Sequence, residues 1–201
     1  MSQASLDRQI QLAKNRLAAI STQAVPVATS RAINQMGLAI ERQTARDVAK
    51  EENTPMKVIR ARIRALRKAS AKDPRRRIRV RLRDLPAVML GKPRQNRRGV
   101  TVRRRRFDGA FVADGSKGFG KYRRRSGRRR ASYQATSLSR QQIFQRTGKE
   151  RYPLEVVTVP IEKPLTRHFE RNVRLIYNTQ YAPELAKQLS RELRKITRSI
   201  G

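Results

Sequence analysis

The apolar residues of this chain change their period at Asp73-Pro74, and that switch restricts the fold more than any other feature. Before it, apolar positions recur every three or four residues, the repeat of a helix with one buried stripe. After it, Ile78, Val80 and Leu82 alternate with Arg77, Arg79, Arg81 and Arg83, the repeat of a strand with one buried and one cationic face. Helices before the switch and strands behind it predict an α+β fold: a small, mostly antiparallel sheet flanked by N-terminal and C-terminal helices, with a long basic loop or hairpin. The expected division is an N-terminal helical region over 1–70, a basic β-rich region over 75–161 carrying a flexible insertion at 114–140, and C-terminal helices over 162–201. All three form one compact domain with projections.

In the helical part, Leu6, Ile10, Ala13, Leu17 and Ile20 mark one stripe of a helix over about 3–20. Such a helix either docks on its own domain's core or makes a coiled-coil-like contact with a neighbouring subunit. Leu6, Ile10, Leu17 and Ile20 are the candidate subunit-interface residues. Pro26 opens a second helix at its first turn, where its missing N–H costs nothing. Ile33, Met36, Ile40, Thr44 and Val48 carry its apolar face, and the small residues Ala28, Ala32, Gly37 and Ala39 leave room for another element. Thr54-Pro55 reads as the start of a third helix whose stripe is Met56, Ile59, Ile63 and Leu66, with Arg60, Arg62, Arg64, Arg67 and Lys68 opposite.

Beyond the switch the chain reads as short strands. Ala87-Val88-Met89-Leu90-Gly91 is a second strand, and Val100-Thr101-Val102 a third that runs on into Arg103-Arg104-Arg105-Arg106-Phe107. A fourth, Gly109 to Ala113, follows the turn at Asp108-Gly109. Residues 114–140, rich in glycine and serine among arginines, predict a mobile loop. Gln142 to Arg146 is another strand, turning at Thr147-Gly148 into the longest segment of low net charge, Gly148 to Ile161. Its Tyr152, Val156, Val157 and Val159 predict the main core strand, with Pro153 and Pro160 at its ends or on a free edge. Leu165, Phe169, Val173 and Ile176 then share a helix face, and a break at Ala182-Pro183 starts a last helix with Leu185, Leu189, Leu193 and Ile196.

Charge decides the class of partner. Forty-nine Lys plus Arg against fifteen Asp plus Glu give +34, and at that value self-repulsion opposes compaction unless a polyanion, an acidic neighbour or salt compensates it. Most of the excess is arginine, whose planar fork suits phosphate and carboxylate. Clustered guanidinium groups hold a nucleic-acid backbone without reading its sequence. The candidate contacts, to DNA or to an acidic partner, are Arg103, Arg104, Arg105 and Arg106 and the blocks Arg123, Arg124, Arg125 and Arg128, Arg129, Arg130. Phe119, Tyr122 and Tyr133 lie near them but are too few and irregular to argue for single-strand stacking.

The residues for catalysis are hard to find. No cysteine is present and the one histidine, His168, lies in a predicted helix, where it reads as a surface or interface residue. Glu41, Asp47, Glu51, Glu52, Asp73, Asp84 and Asp108 are scattered, without a compact motif for metal-dependent phosphoryl chemistry. Neither a Walker loop nor a dinucleotide glycine fingerprint occurs. The expectation is no enzyme, no cofactor, no metal and no small-molecule substrate. No apolar run approaches the roughly 20 residues of a membrane span, so no membrane partner is expected, and the place is a cytoplasm or a particle assembled in one.

The ordered set Asp73-Pro74-Arg75-Arg76-Arg77-Ile78-Arg79-Val80, Asp84-Leu85-Pro86-Ala87-Val88-Met89-Leu90-Gly91, Gly109-Ala110-Phe111-Val112, Arg146 to Leu154 and Pro160-Ile161-Glu162-Lys163-Pro164-Leu165-Thr166 resembles the minor tail protein Z family of long-tailed bacteriophages. The likeness is collinear over most of the chain and departs from the family in the longer, more basic stretch at 114–140. It implies a non-enzymatic tail-completion subunit of the virion that joins the tail late, near the head. It further implies a homo-oligomeric ring, commonly a hexamer, around double-stranded DNA, with the tail terminator, connector or tail-tube proteins as neighbours. The alternative from composition is a free, sequence-independent nucleic-acid-binding protein of ribosomal or nucleoid type.

Overall fold

The computed structural model describes the backbone of residues 3–116, 122–125, 128–131, 138, 141–148 and 154–200. It is an α+β fold in which two long helices lie side by side, accompanied by a set of short antiparallel ladders.

Helix α1 (Gln3–Ala19) leads through a π turn at Ile20–Ala24 into α2 (Val25–Glu51), so residues 3–51 are continuously helical. Pro26 stands in the first turn of α2, as the sequence predicts, but no break separates that helix from the π turn before it. The proline has no N–H to return to the preceding turn, and the wider π turn just before it is where the helix absorbs that loss. Helix α4 (Glu162–Ile200) is likewise unbroken, with Pro183 inside it where the sequence predicts a break. An interior proline costs about 3 kcal/mol, and contacts with α2 on both sides of it hold α4 in one piece. The two helices run antiparallel: Glu51 meets Arg167 and His168, Asp47 meets Arg171, and Arg31 meets Glu192 at the far end. Met36, Ile40 and Ile176 form a small apolar cluster between them, flanked by Ile33, Phe169, Val173 and Tyr181.

The predicted third helix is only one turn, α3 (Met56–Arg60). The chain then becomes β1 (Ile63–Arg67), paired antiparallel with β2 (Arg77–Val80) in the register Ile63 opposite Val80 and Arg64 opposite Arg79. The spacing of Met56, Ile59, Ile63 and Leu66 is helical. Ile78 and Val80, however, offer an apolar row that a strand can use, so Ile63 enters the core and Leu66 stays 55% exposed. Next come β3 (Leu85–Pro86) and a 3-10 turn, Ala87–Leu90, in place of the predicted second strand. Its Ala87 and Leu90, three residues apart, both face the core, which a strand would not allow.

Strands β4 (Arg94–Asn96), β5 (Gly99–Val102) and β6 (Arg105–Asp108) form one three-stranded ladder. The third predicted strand therefore does not run on through Arg103; it reverses there, with Val102 opposite Arg105. A second ladder has β10 (Gln142–Arg146) between β7 (Ala110–Ala113) and β11 (Leu154–Val156), and β12 (Thr158–Val159) pairs with β3. Within 114–140, where the sequence predicts a mobile loop, β8 (Tyr122–Arg125) and β9 (Arg128–Ala131) form a hairpin.

The predicted main core strand is two short pieces bent at Val157. There Val157 donates to the Ile143 carbonyl (3.0 Å) and its own carbonyl accepts from Ala87 (2.8 Å), so one residue ties two ladders together. Val157, Val159 and Ile161 are buried, Val156 is half-buried at the edge, and Tyr152 lies outside the described residues. The centre of that ladder is β10 instead. Around this strap Ile59, Ile63, Leu85, Leu90, Val100, Val102, Ile143 and Leu165 form the main core, capped by Ala45 and Val48 of α2.

Candidate nucleic-acid interface

The scattered carboxylates predicted to form no catalytic motif serve instead as internal counter-ions for arginine. Glu41 pairs with Arg76 (2.5 Å), Glu52 with Arg105, Asp73 with Arg67 and Arg75 (3.0 and 2.7 Å), and Asp108 with Arg106 (2.7 Å). Arg75 chiefly, with Arg67 nearby, lowers the Asp73 pKa. At the α2–α4 seam, Glu51 accepts from His168 Nε2 at 2.5 Å and from Arg167 at 2.6 Å, and these two bonds, His168 first, pull its carboxyl below the usual range. His168 is thus a buried interhelix residue rather than a surface one. Asp47 accepts from Arg171 (2.8 Å) and from the buried Asn172 (2.9 Å). Among the described residues no group of three or more His, Cys, Asp or Glu is arranged to hold a metal ion, and no helix is long and apolar enough to cross a membrane.

The first predicted contact block divides. Arg105 is engaged by Glu52 and Arg106 by Asp108, while Arg103 Nη1 donates to the Asn53 carbonyl at 3.3 Å. The block therefore fastens the β5–β6 turn to the C-terminal end of α2. Arg103 does so with φ +55°, a left-handed conformation that glycine or asparagine adopts more cheaply. Arg104, beside it at the tip, is exposed.

The other two blocks face each other. The β8–β9 register sets Arg123 opposite Arg130, Arg124 opposite Arg129 and Arg125 opposite Arg128. Phe119 and Tyr133 lie outside the described residues.

The candidate interface stripe on α1 is exposed, contrary to docking on the chain's own core. Ile10 is 45% and Leu17 67% exposed, and Leu12, a residue the stripe does not include, is 43% exposed. Ile20, in the π turn, is half-buried; the Leu6 side chain lies outside the described residues. The helix pairing explains this: α4 ends beside the π turn, so α1 extends beyond its partner.

A further row of arginines, visible in the sequence as alternation but not singled out there as a site, lies on the β1–β2 ladder. Arg64 and Arg79 are direct neighbours across the two strands and Arg77 is next along, all exposed. The signal that could have found it was the change of residues 63–67 from helix to strand, which puts two arginine rows on one face.

The description "prophage minor tail protein Z" belongs to a family model that matches residues 9–199. The chain is similar to the tail completion protein Z of Escherichia phage lambda, 34% identical over 206 residues that cover 93% of this chain and 96% of that protein. It is also similar to the tail completion protein of Escherichia phage N15, 31% identical over 198 residues with the same two coverages. No solved structure matches it.

Proposed function

Because the chain belongs to the prophage minor tail protein Z family, we propose that it is a structural subunit that completes a phage tail, assembling as a ring, hexameric in the commonest arrangement, at the head-proximal end around the DNA channel. The observation that carries this reading is the extent of the match. It runs over residues 9–199 and so takes in both long helices and every ladder, rather than one motif.

Two physical features support it. An isolated helix gains little stability in water, and α1 keeps apolar side chains out of its own core. The stripe of Leu6, Ile10, Leu17 and Ile20 is therefore assigned to a neighbouring copy. The second feature is the opposed arginines of β8–β9, which with exposed Arg104 are assigned to phosphates of the DNA in the lumen or to an acidic partner. Held there, the genome end is kept by many reversible contacts that carry no sequence information. The tail terminator, connector or tail-tube proteins are the neighbours above and below, and the role needs no catalysis, cofactor or small molecule.

Cryo-electron microscopy of the neck of intact particles, with copy number from quantitative mass spectrometry, tests this. The expected result is a closed ring at a fixed small copy number, with α1 buried between copies and the hairpin toward the lumen. A protein missing from particles, which instead coats DNA in proportion to its length, overturns it in favour of a free nucleic-acid-binding factor.

A further inference from the structure

A cleft of about 750 Å³ opens between α3 and the β1–β2 ladder, and its charged lining consists of Lys57, Arg62, Arg64, Arg81 and Arg83, with no carboxylate among the lining residues. Elsewhere on the molecule Asp and Glu repeatedly sit against arginine. Among the described residues none of these five cations makes a side-chain ion pair.

At the base of the cleft Arg62 is fixed by neutral groups. Its guanidinium donates to the Arg83 carbonyl at 2.7 Å and to the Asp84 carbonyl at 3.3 Å, and its own carbonyl accepts from the Arg81 N–H at 2.9 Å. Burial first, and then the neighbouring Arg81 charge, lower the Arg62 pKa, with the Asp84 carboxylate offsetting part of that. A cation held in place without a full counter-charge is a preorganised anion site.

The shape argues for a linear polyanion over a single small ion. The cleft continues onto the ladder through Arg64, its cross-strand neighbour Arg79, and Arg77 two residues along, so cations repeat about every 6.6 Å along the strand. The row ends where Arg67 is neutralised by Asp73. Val58, Ala61 and the half-exposed Met89 give the cleft an apolar wall. A polynucleotide strand alternates anionic phosphates with apolar sugar faces. Duplex DNA carries about one charge per 1.7 Å of axis, a density that a folded acidic protein seldom matches.

We propose that this cleft and the arginine row of the β1–β2 ladder form a sequence-independent binding site for the phosphodiester backbone of nucleic acid. It deepens the reading above, on which it rests only for the source of the strand, the phage genome.

The test uses the purified full chain, a short DNA duplex of arbitrary sequence, and binding measured by fluorescence anisotropy over a range of salt. The triple variant Arg64→Gln, Arg81→Gln, Arg83→Gln is compared with Arg94→Gln, Arg97→Gln, Arg98→Gln, which removes the same charge from exposed positions of the β4–β5 hairpin. Each lost phosphate contact lowers the slope of log K against log salt by about 0.9. The cleft variant is expected to lose about 3 units of slope and at least about tenfold in affinity, and the hairpin variant less than half of either. Equal losses in the two variants overturn the proposal, because charge alone would then explain binding. So does a cleft variant that keeps duplex binding but loses binding to poly-glutamate, which would assign the cleft to an acidic protein. Should the triple variant fail to fold, Arg64→Gln and Arg83→Gln singly are each expected to remove about one unit of slope, and no change in either sinks the idea. A negative result leaves incorporation into particles untouched, and a protein absent from tails would not alter the slope.

Discussion

At the scale of single residues, the clearest link from sequence to packing is Gly37. A Cβ added there would overlap Cδ and Nε of Arg76. The Arg76 side chain is only 4% exposed, reaching across α2 to Glu41 at 2.5 Å and to Asn34 at 3.2 Å. Asn34 in turn exchanges two hydrogen bonds with the backbone of Ala69 (2.8 and 3.0 Å), so the pocket also anchors the loop between β1 and β2. Gly37→Ala is therefore expected to destabilise. Overpacking costs about 1–3 kcal/mol, and the better helix propensity of alanine returns only about 1 kcal/mol. Chemical denaturation should read a net loss of up to about 2 kcal/mol. Truncating Arg76 to alanine in the same chain should remove most of the clash, so the two changes together cost less than their sum. Strict additivity would contradict this account. The sequence already marked Gly37 among small residues that admit another element. That the visitor is an arginine was not legible, because a guanidinium 39 residues away follows no periodic rule.

Among the elements, α1 and the ladders mark where sequence reading succeeds and where it stops. The stripe of α1 was legible because a helix face depends only on spacing, yet whether that face meets its own core depends on where α4 ends. The same limit applies to residues 61–67. Helical spacing held locally, but the apolar row of β2, fixed by residues further along the chain, made a strand the better way to bury Ile63. Pro183 misled in the other direction, since packing of one long helix against another outweighs a local breaker. For α1 the consequence is measurable. Replacing Ile10 and Leu17 by aspartate removes no contact with the main core, so the unfolding free energy of the monomer should change by no more than the small effect of exposed substitutions, about 0.5 kcal/mol or less for each. Self-association followed by analytical ultracentrifugation should weaken sharply. A large drop in monomer stability with unchanged association would mean that the stripe packs within the chain.

For the molecule as a whole, the fifteen carboxylates are the only charges set against forty-nine Lys and Arg, and their placement makes stability depend on acid in a definite direction. Glu51, held low by His168 and then Arg167, Asp73, held low mainly by Arg75, and Glu192, held low mainly by Lys195, all bind protons less readily folded than unfolded. Their contribution is complete above the unfolded value, about pH 4.3 for glutamate and somewhat lower for aspartate. It is lost as pH falls through the depressed folded values, because the unfolded chain then takes up more protons. The loss compounds itself: each protonated carboxylate also removes an internal counter-ion, and net charge climbs from +34 toward +49, the count of Lys plus Arg. Stability measured by denaturant titration should therefore be flat from neutrality to about pH 5 and fall steeply below about pH 4. Glu51→Gln should flatten part of that limb, since one of the titrating groups is gone, while lowering stability at neutral pH because Arg167 loses its partner. Sulfate should recover much of the loss, because a screening anion replaces the missing counter-charge. A variant whose acid limb is as steep as that of the natural chain would show that the α2–α4 seam is not where acid acts, and would shift the effect to general repulsion among the arginines.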